Sequence, residues 1–120
     1  MHLLHLGLPV RDFERSLAFY EKYFHFDGST ARTYPDGTVI VRNADGFDLA
    51  LHPGSIAVQP EFLHFGFALP NPERVHEFCA RLIADGVEIV EQDDEPDLVS
   101  FKCLDPDGWR IEVYWETVPG

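Results

Sequence analysis

Two histidines open nearly identical phrases of this sequence. His5-Leu-Gly-Leu-Pro-Val-Arg-Asp-Phe-Glu-Arg15 and His64-Phe-Gly-Phe-Ala-Leu-Pro-Asn-Pro-Glu-Arg74 repeat histidine, glycine, glutamate and arginine in register without a gap. A short apolar run of this kind reads as a strand, on which side chains two apart share a face. The expectation is a buried strand in which the small Gly7 and Gly66 leave open space beside each imidazole. A third residue, Glu112, lies in the strand-like run Trp109–Trp115. Two imidazoles and one carboxylate on converging strands make a partial coordination sphere for a divalent first-row metal, with positions left for water or substrate. Because a duplicated module brings the same strand position of each copy together, His5 and His64 become candidates for one shared site.

Other polar residues fall on the same expected faces. Arg110 and Tyr114 flank Glu112 two positions to either side, placed to orient a substrate or the ligand carboxylate through hydrogen bonds. Laying Asp45-Gly46-Phe-Asp-Leu-Ala50 over Asp107-Gly108-Trp-Arg-Ile-Glu112 sets Ala50 opposite Glu112. His52, two residues on, then shares that face as a proton carrier or substitute ligand; its plainer reading is a surface histidine at the edge of a linker. Trp109 and Trp115 have the opposite parity and read as core or dimer contacts. His2, His25 and His76 show no partner in the sequence and read as exposed. Cys79, beside Phe78 and Leu82 on a helix face, and Cys103, in a strand, read as reduced packing residues, since two cysteines build no disulfide framework.

The elements that must hold these residues follow from period and punctuation. After a strand at 4–10, Asp12 caps a helix with Phe13, Leu17, Tyr20 and Phe24 on one face, ended by Asp27-Gly28. Strands Ser29–Tyr34, Thr38–Arg42 and Phe47–His52 follow, separated by Pro35-Asp36-Gly37 and Ala44-Asp45-Gly46. The second half repeats this order. It has a strand Leu63–Leu69, a helix capped by Asn71-Pro72 with Val75, Phe78, Cys79, Leu82 and Ile83 as its stripe, and a stop at Asp85-Gly86. Strands near Glu88–Glu91, Leu98–Leu104 and Trp109–Trp115 complete it, with Asp105-Pro-Asp-Gly108 as the last turn. The fold class is α+β: two tandem β-α-β-β-β modules, 1–55 and 60–120, in one domain spanning 1–120, joined by the linker Pro53–Pro60.

The bulk numbers agree with one small domain. The chain has 120 residues, 45% of them apolar, and a formal charge of −12. Asp85, Glu88, Glu91, Asp93, Asp94, Glu95 and Asp97 form an acidic stretch with no base among them. Nucleic acid and anionic membranes are therefore excluded as partners; a cationic ligand or plain solubility fits the field better. The first residues enter a strand with no basic and apolar leader pattern, and no run reaches membrane-spanning length, so the reading is a cytoplasmic protein.

The paired modules, His5 followed by its apolar strand and the Asp12…Phe19-Tyr20 helix, His64 at the same point of module two, and Asp105-Pro-Asp-Gly-Trp-Arg-Ile-Glu112 together resemble the vicinal oxygen chelate superfamily. That superfamily includes glyoxalase I, extradiol dioxygenases, fosfomycin-resistance thiol transferases, methylmalonyl-CoA epimerase and bleomycin-resistance proteins. The resemblance covers the whole chain. It implies half-barrel cavities, metal ligation by His5, His64 and Glu112, and a cavity wall that includes Ser100 and Lys102. It also implies a homodimer in which a site takes His5 from one chain and His64 with Glu112 from the other. Glyoxalase I and the epimerase carry a fourth ligand where this chain has Ala50, which argues against both activities. The acidic stretch replaces the cationic and hydroxyl groups that surround a phosphonate, so fosfomycin is a poor substrate. The strand before Glu112 offers Ser100 and Lys102 but no tyrosine, so extradiol cleavage lacks support.

The resulting expectation is a divalent-metal-dependent enzyme, with Fe, Mn, Ni, Zn or Co, acting on a small molecule that presents adjacent oxygens to the cation. The competing class is a metal-free protein that sequesters a cationic antibiotic.

Overall fold

The structure, a computed structural model, describes residues 1–55 and 59–117. Of the expected linker, residues 56–58 lie outside the described residues. The chain divides into two units, Met1–Val58 and Gln59–Gly120. Each follows the order β-α-β-β-β.

Unit one contains β1 (His5–Val10), α1 (Phe13–Phe24), β2 (Phe26–Thr33), β3 (Val39–Asn43) and β4 (Asp48–Pro53). Its sheet runs β1-β4-β3-β2, with β1 parallel to β4 and the other pairs antiparallel. Alternation sorts the side chains: Leu8, Val10, Val39, Val41, Leu49 and Leu51 are buried on one face. Helix α1 adds Tyr20, Tyr23 and Phe24 to this core, and Tyr20 meets Phe26 edge to face at 5.9 Å. Each such side chain contributes roughly 1.5–3 kcal/mol when withdrawn from water. Asp12 caps the helix as expected, accepting the Arg15 N–H at 3.3 Å. The stop differs from expectation. His25 takes the left-handed conformation (φ 59°) and its N–H returns to the Tyr20 carbonyl, so the helix ends before Asp27-Gly28, which already belong to β2.

Unit two contains β5 (Phe65–Ala68), α2 (Pro72–Ala84), β6 (Ile89–Asp94), β7 (Leu98–Leu104) and β8 (Arg110–Glu116). The sheet order β5-β8-β7-β6 repeats that of unit one, again with one parallel pair, β5 and β8. Asn71 caps α2 by accepting the Arg74 N–H at 2.9 Å, and Pro72 fills the first turn, where its missing N–H is harmless. Val75, Cys79 and Leu82 are buried, and Phe78 stacks on Phe101 at 6.0 Å. Ile83 was expected in this stripe but is 54% exposed, because it lies one helical step round from Leu82.

The turns before β4 and β8 are built alike. Asn43 Oδ1 accepts the N–H groups of Asp45 (3.1 Å) and Phe47 (2.9 Å), and Asp105 Oδ1 accepts those of Asp107 (2.8 Å) and Trp109 (2.9 Å). Gly46 and Gly108 close them at φ 84° and 87°, a region that favours glycine. These turns fix the register of the last strand in each unit. Among the described residues no helix is long and apolar enough to cross a membrane.

Candidate metal centre

Glu112 is set by its ladder. It pairs with Gly66 on β5 and with Lys102 on β7, so its half-buried carboxylate rises from the sheet face opposite α2. His64 was expected on a buried strand; it stands exposed, just before β5, which is an edge strand. What holds His64 is local. Phe62 adopts φ 68°, uncommon for a residue with a side chain, and its carbonyl accepts the His64 Nδ1–H at 2.7 Å. With the proton on Nδ1, the Nε2 lone pair is left open, and Nε2 lies 3.9 Å from Glu112 Oε1. That is too long for a hydrogen bond. Two donors each about 2.1 Å from a tetrahedral or octahedral cation stand roughly 3.0–3.5 Å apart, so a small side-chain movement suits this pair to one ion. An imidazole whose second nitrogen is tied to a backbone carbonyl is also the usual form of a ligating histidine.

The surroundings of this pair are polar. Lys102, beside Glu112 in the ladder, turns its ammonium to Glu91 across β6, and that ion pair leads in holding the Glu91 carboxyl below its ordinary range. Ser100 is buried and pairs with Tyr114 in register. Open space was expected over Gly66. A Cβ there would meet Tyr114 ring carbons at 3.2 and 3.4 Å, so the glycine admits the tyrosine ring. Arg110 lies on the same strand face as Glu112, half-buried, with one guanidinium nitrogen buried and without a hydrogen-bond partner among the described residues.

In unit one, His5 heads β1, also an edge strand, and is exposed rather than buried. Its ladder partner is Asp48 on β4. Asp48 accepts from Arg42 at 2.8 and 3.2 Å and from Arg32 at 3.1 Å, and these bonds, Arg42 first, hold its carboxyl below the usual carboxylate range. The space over Gly7 is also filled. His52 Nε2 would stand 2.9 Å from a Cβ at that position, and His52 Nδ1 lies 2.8 Å from Thr38 Oγ1. His52, the penultimate residue of β4, is exposed and stands over Gly7 on the open face of the sheet. Beside it is a wide-mouthed pocket of about 450 Å³ lined by Tyr34, Pro35, Asp36, Thr38, Ile40 and His52.

Among the described residues no three His, Cys, Asp or Glu side chains gather as a metal cluster. Thr38, Glu91 and the Phe62 carbonyl were missed in the sequence. Thr38 had a usable signal, because Thr38 and Ser100 occupy the same position relative to Ala50 and Glu112 in the repeat. A carbonyl reaching back to a histidine two residues on has no signature in residue type. The cysteines behave as packing residues: both are buried thiols, and burial pushes Cys103 up to about 12.

Residues 2–113 match the family model of the Glyoxalase/Bleomycin resistance protein/Dioxygenase superfamily, and the chain belongs to that superfamily. The chain is 27% identical over 119 residues to a Bacillus subtilis protein named as a probable trivalent organoarsenical cleaving enzyme, covering 96% of this chain and 80% of that one. It is 30% identical to an uncharacterized Pseudomonas aeruginosa protein, covering 92% and 85%. Among solved structures, a possible glyoxalase from Bacillus cereus superposes with a TM-score of 0.79 at 30% identity over 96% of this chain and 99% of that one. The fosfomycin resistance protein FosX of Listeria monocytogenes gives a TM-score of 0.82 at 22% identity over 98% and 95%, a likeness of fold. That protein has also been crystallised, as an E126Q mutant, with Mn(II) and a dihydroxypropylphosphonic acid.

Proposed function

We propose that this protein is a divalent-metal-dependent enzyme acting on a small molecule that offers two adjacent oxygens, with His5, His64 and Glu112 as ligands. The observation that carries the reading is the His64 imidazole, tied through Nδ1 to the Phe62 carbonyl and turning its Nε2 toward Glu112. A cation so held acts as a Lewis acid toward substrate oxygens. Around it, Arg110 brings a guanidinium to the substrate or to the Glu112 carboxylate, and Tyr114, over Gly66, presents a hydroxyl at the same face. Ser100 and Lys102 line the wall, with Lys102 steadied by Glu91. The Mn(II) found with FosX supports a first-row metal; Fe, Mn, Ni, Zn and Co all suit two imidazoles and a carboxylate. We further propose a homodimer in which His5 of one chain joins His64 and Glu112 of another.

A protein that only sequesters a cationic drug has no use for an imidazole lone pair held toward a carboxylate, which disfavours the metal-free alternative. Organoarsenical cleavage does not extend readily to this chain. Trivalent arsenic is soft and seeks accessible thiolates, whereas Cys79 and Cys103 are buried and their thiols are pushed upward by that burial.

The test is elemental analysis of untagged protein after reconstitution with each of the five metals. About one ion per chain is expected, and His64→Ala should abolish retention without unfolding the chain. Protein that retains none of the five removes the enzyme reading.

A further inference from the structure

We propose that Arg32 and Arg42 form a carboxylate-binding site on unit one, and that the substrate is an acid whose distal carboxylate lands there. The two side chains come from different strands and converge on one anion. Arg42 donates from Nε and Nη2 to Asp48 at 2.8 and 3.2 Å, and Arg32 donates to it from Nη2 at 3.1 Å. Asp48 is largely enclosed, with 17% of its side chain exposed, whereas both guanidinium groups are half open to solvent. One carboxylate against two guanidinium groups leaves one positive charge. Arg42 Nη1 and Arg32 Nε and Nη1 have no partner among the described residues, and the cleft of about 250 Å³ beside them is lined by Thr30, Arg32 and Arg42.

A bulge in the edge strand β2 makes this arrangement. Asp27 pairs with Arg42 and Arg32 with Ile40, so five positions along β2 match two along β3. In an unbroken ladder Ser29 would stand opposite Ile40; the inserted residues put an arginine there instead. Thr30, inside the bulge, accepts the Arg42 N–H at 2.8 Å and gives its own proton to the Asp27 carbonyl at 2.6 Å, which fixes the Arg42 backbone. Asp48 is the ladder partner of both His5 and Arg42. His5 and Arg42 therefore stand two strand spacings apart, about 10 Å.

The charge balance selects the ligand. The chain carries −12 and repels anions at long range, but that field is screened over about 8 Å at physiological ionic strength, so an anion is held only where cations touch it. A monoanion neutralises the cluster; a dianion would leave a charge facing Asp48. Guanidinium groups also match the two coplanar oxygens of a carboxylate. The substrate class rests on the proposed function: a small acid whose adjacent oxygens meet the metal at His5 and whose second carboxylate reaches Arg32 and Arg42 across the sheet.

The test uses the whole chain, first freed of metal by chelator. Sodium acetate should shift the Nε–H resonances of Arg32 and Arg42 saturably, and R32Q and R42Q should each weaken that binding about tenfold or more. D48N separates a ligand site from a structural ion pair, because it adds to the local positive charge and should tighten acetate binding several-fold. Absence of a saturable shift, undiminished binding in both arginine variants, or weaker binding in D48N overturns the site. Inorganic phosphate that binds more tightly than acetate overturns the carboxylate assignment. With zinc-loaded protein, 2-hydroxyglutarate should bind about tenfold more tightly than 2-hydroxypentanoate, which lacks the distal carboxylate, and R32Q should erase the difference. Equal binding of the two overturns the substrate class. A chain that holds no zinc but binds acetate at the arginines overturns the metal-dependent reading and leaves the carboxylate site standing.

Discussion

Ala50 stands directly beside Gly7 in the β1–β4 ladder, the position that Glu112 holds beside Gly66 in the β5–β8 ladder. The two units thus present the same face, one with a carboxylate and one with a methyl group. Ala50 is 1% exposed, so Ala50→Glu buries a charge that lacks a partner when metal is absent. The variant is expected to melt on the order of 5–10 °C below wild type in chelator. Added metal should recover part of that loss, by linkage between binding and folding. Equal melting temperatures for both proteins, with and without metal, would show that Ala50 does not face a metal site.

Ligand sharing between chains is tested by mixing two inactive partners. His5→Ala and Glu112→Ala proteins, unfolded and refolded together, should regain about one intact metal site per heterodimer if sites draw on two chains. Sedimentation should give about twice the 13.7 kDa chain mass. Mixtures that retain no more metal than the separate variants would mean that each site belongs to one chain.

Asp48 makes acid stability a readable quantity. Its folded-state carboxyl is held low, chiefly by hydrogen bonding from Arg42 with Arg32 contributing, so its stabilisation is present above the unfolded carboxylate range. It is lost as pH falls through the folded value. Both arginines are about half exposed, and solvent screening limits the pair to on the order of 1 kcal/mol. In urea titrations Asp48→Asn should be less stable than wild type by about that amount at pH 7, with the gap closing from about pH 4 downward. A gap independent of pH would assign the loss to packing.

Thiol chemistry should follow burial. Cys103, pushed up to about 12, and Cys79, raised by the same desolvation, are expected to resist a disulfide reagent in the native protein at pH 8 and to react fully in denaturant. Rapid labelling of either cysteine in folded protein would contradict the packing role.

Much of the fold was legible because the repeat supplied it twice. The helix caps Asp12 and Asn71, the turn at Asp105–Gly108 and the span of β7 all follow from residue type. The boundaries that moved were set by backbone geometry. His25 ends α1 by entering the left-handed region three residues before Gly28, and Phe62 also takes a positive φ ahead of β5. For the candidate site, strand parity correctly grouped Arg110, Glu112 and Tyr114, and it put Ala50 level with Glu112. It misjudged the glycines, because a residue without a side chain signals room but not what fills it; the occupants are His52 and Tyr114, from the neighbouring strands. Hydrogen bonds such as Thr38 with His52 join positions 14 residues apart and leave no local pattern.

The pairing of first strand with last has a consequence during synthesis. Among the described residues β5 pairs with β8 alone, so residues 65–68 have no ladder until residues 110–116 leave the ribosome, and β1 waits likewise for β4. Helix α2 and the β6–β7 hairpin form from neighbouring sequence, while β5, directly after His64, is seated last. Chains truncated before Arg110 would then hold a helix and a hairpin but leave β5 without a ladder, and the closing of first strand on last would be the final step in the folding of each unit.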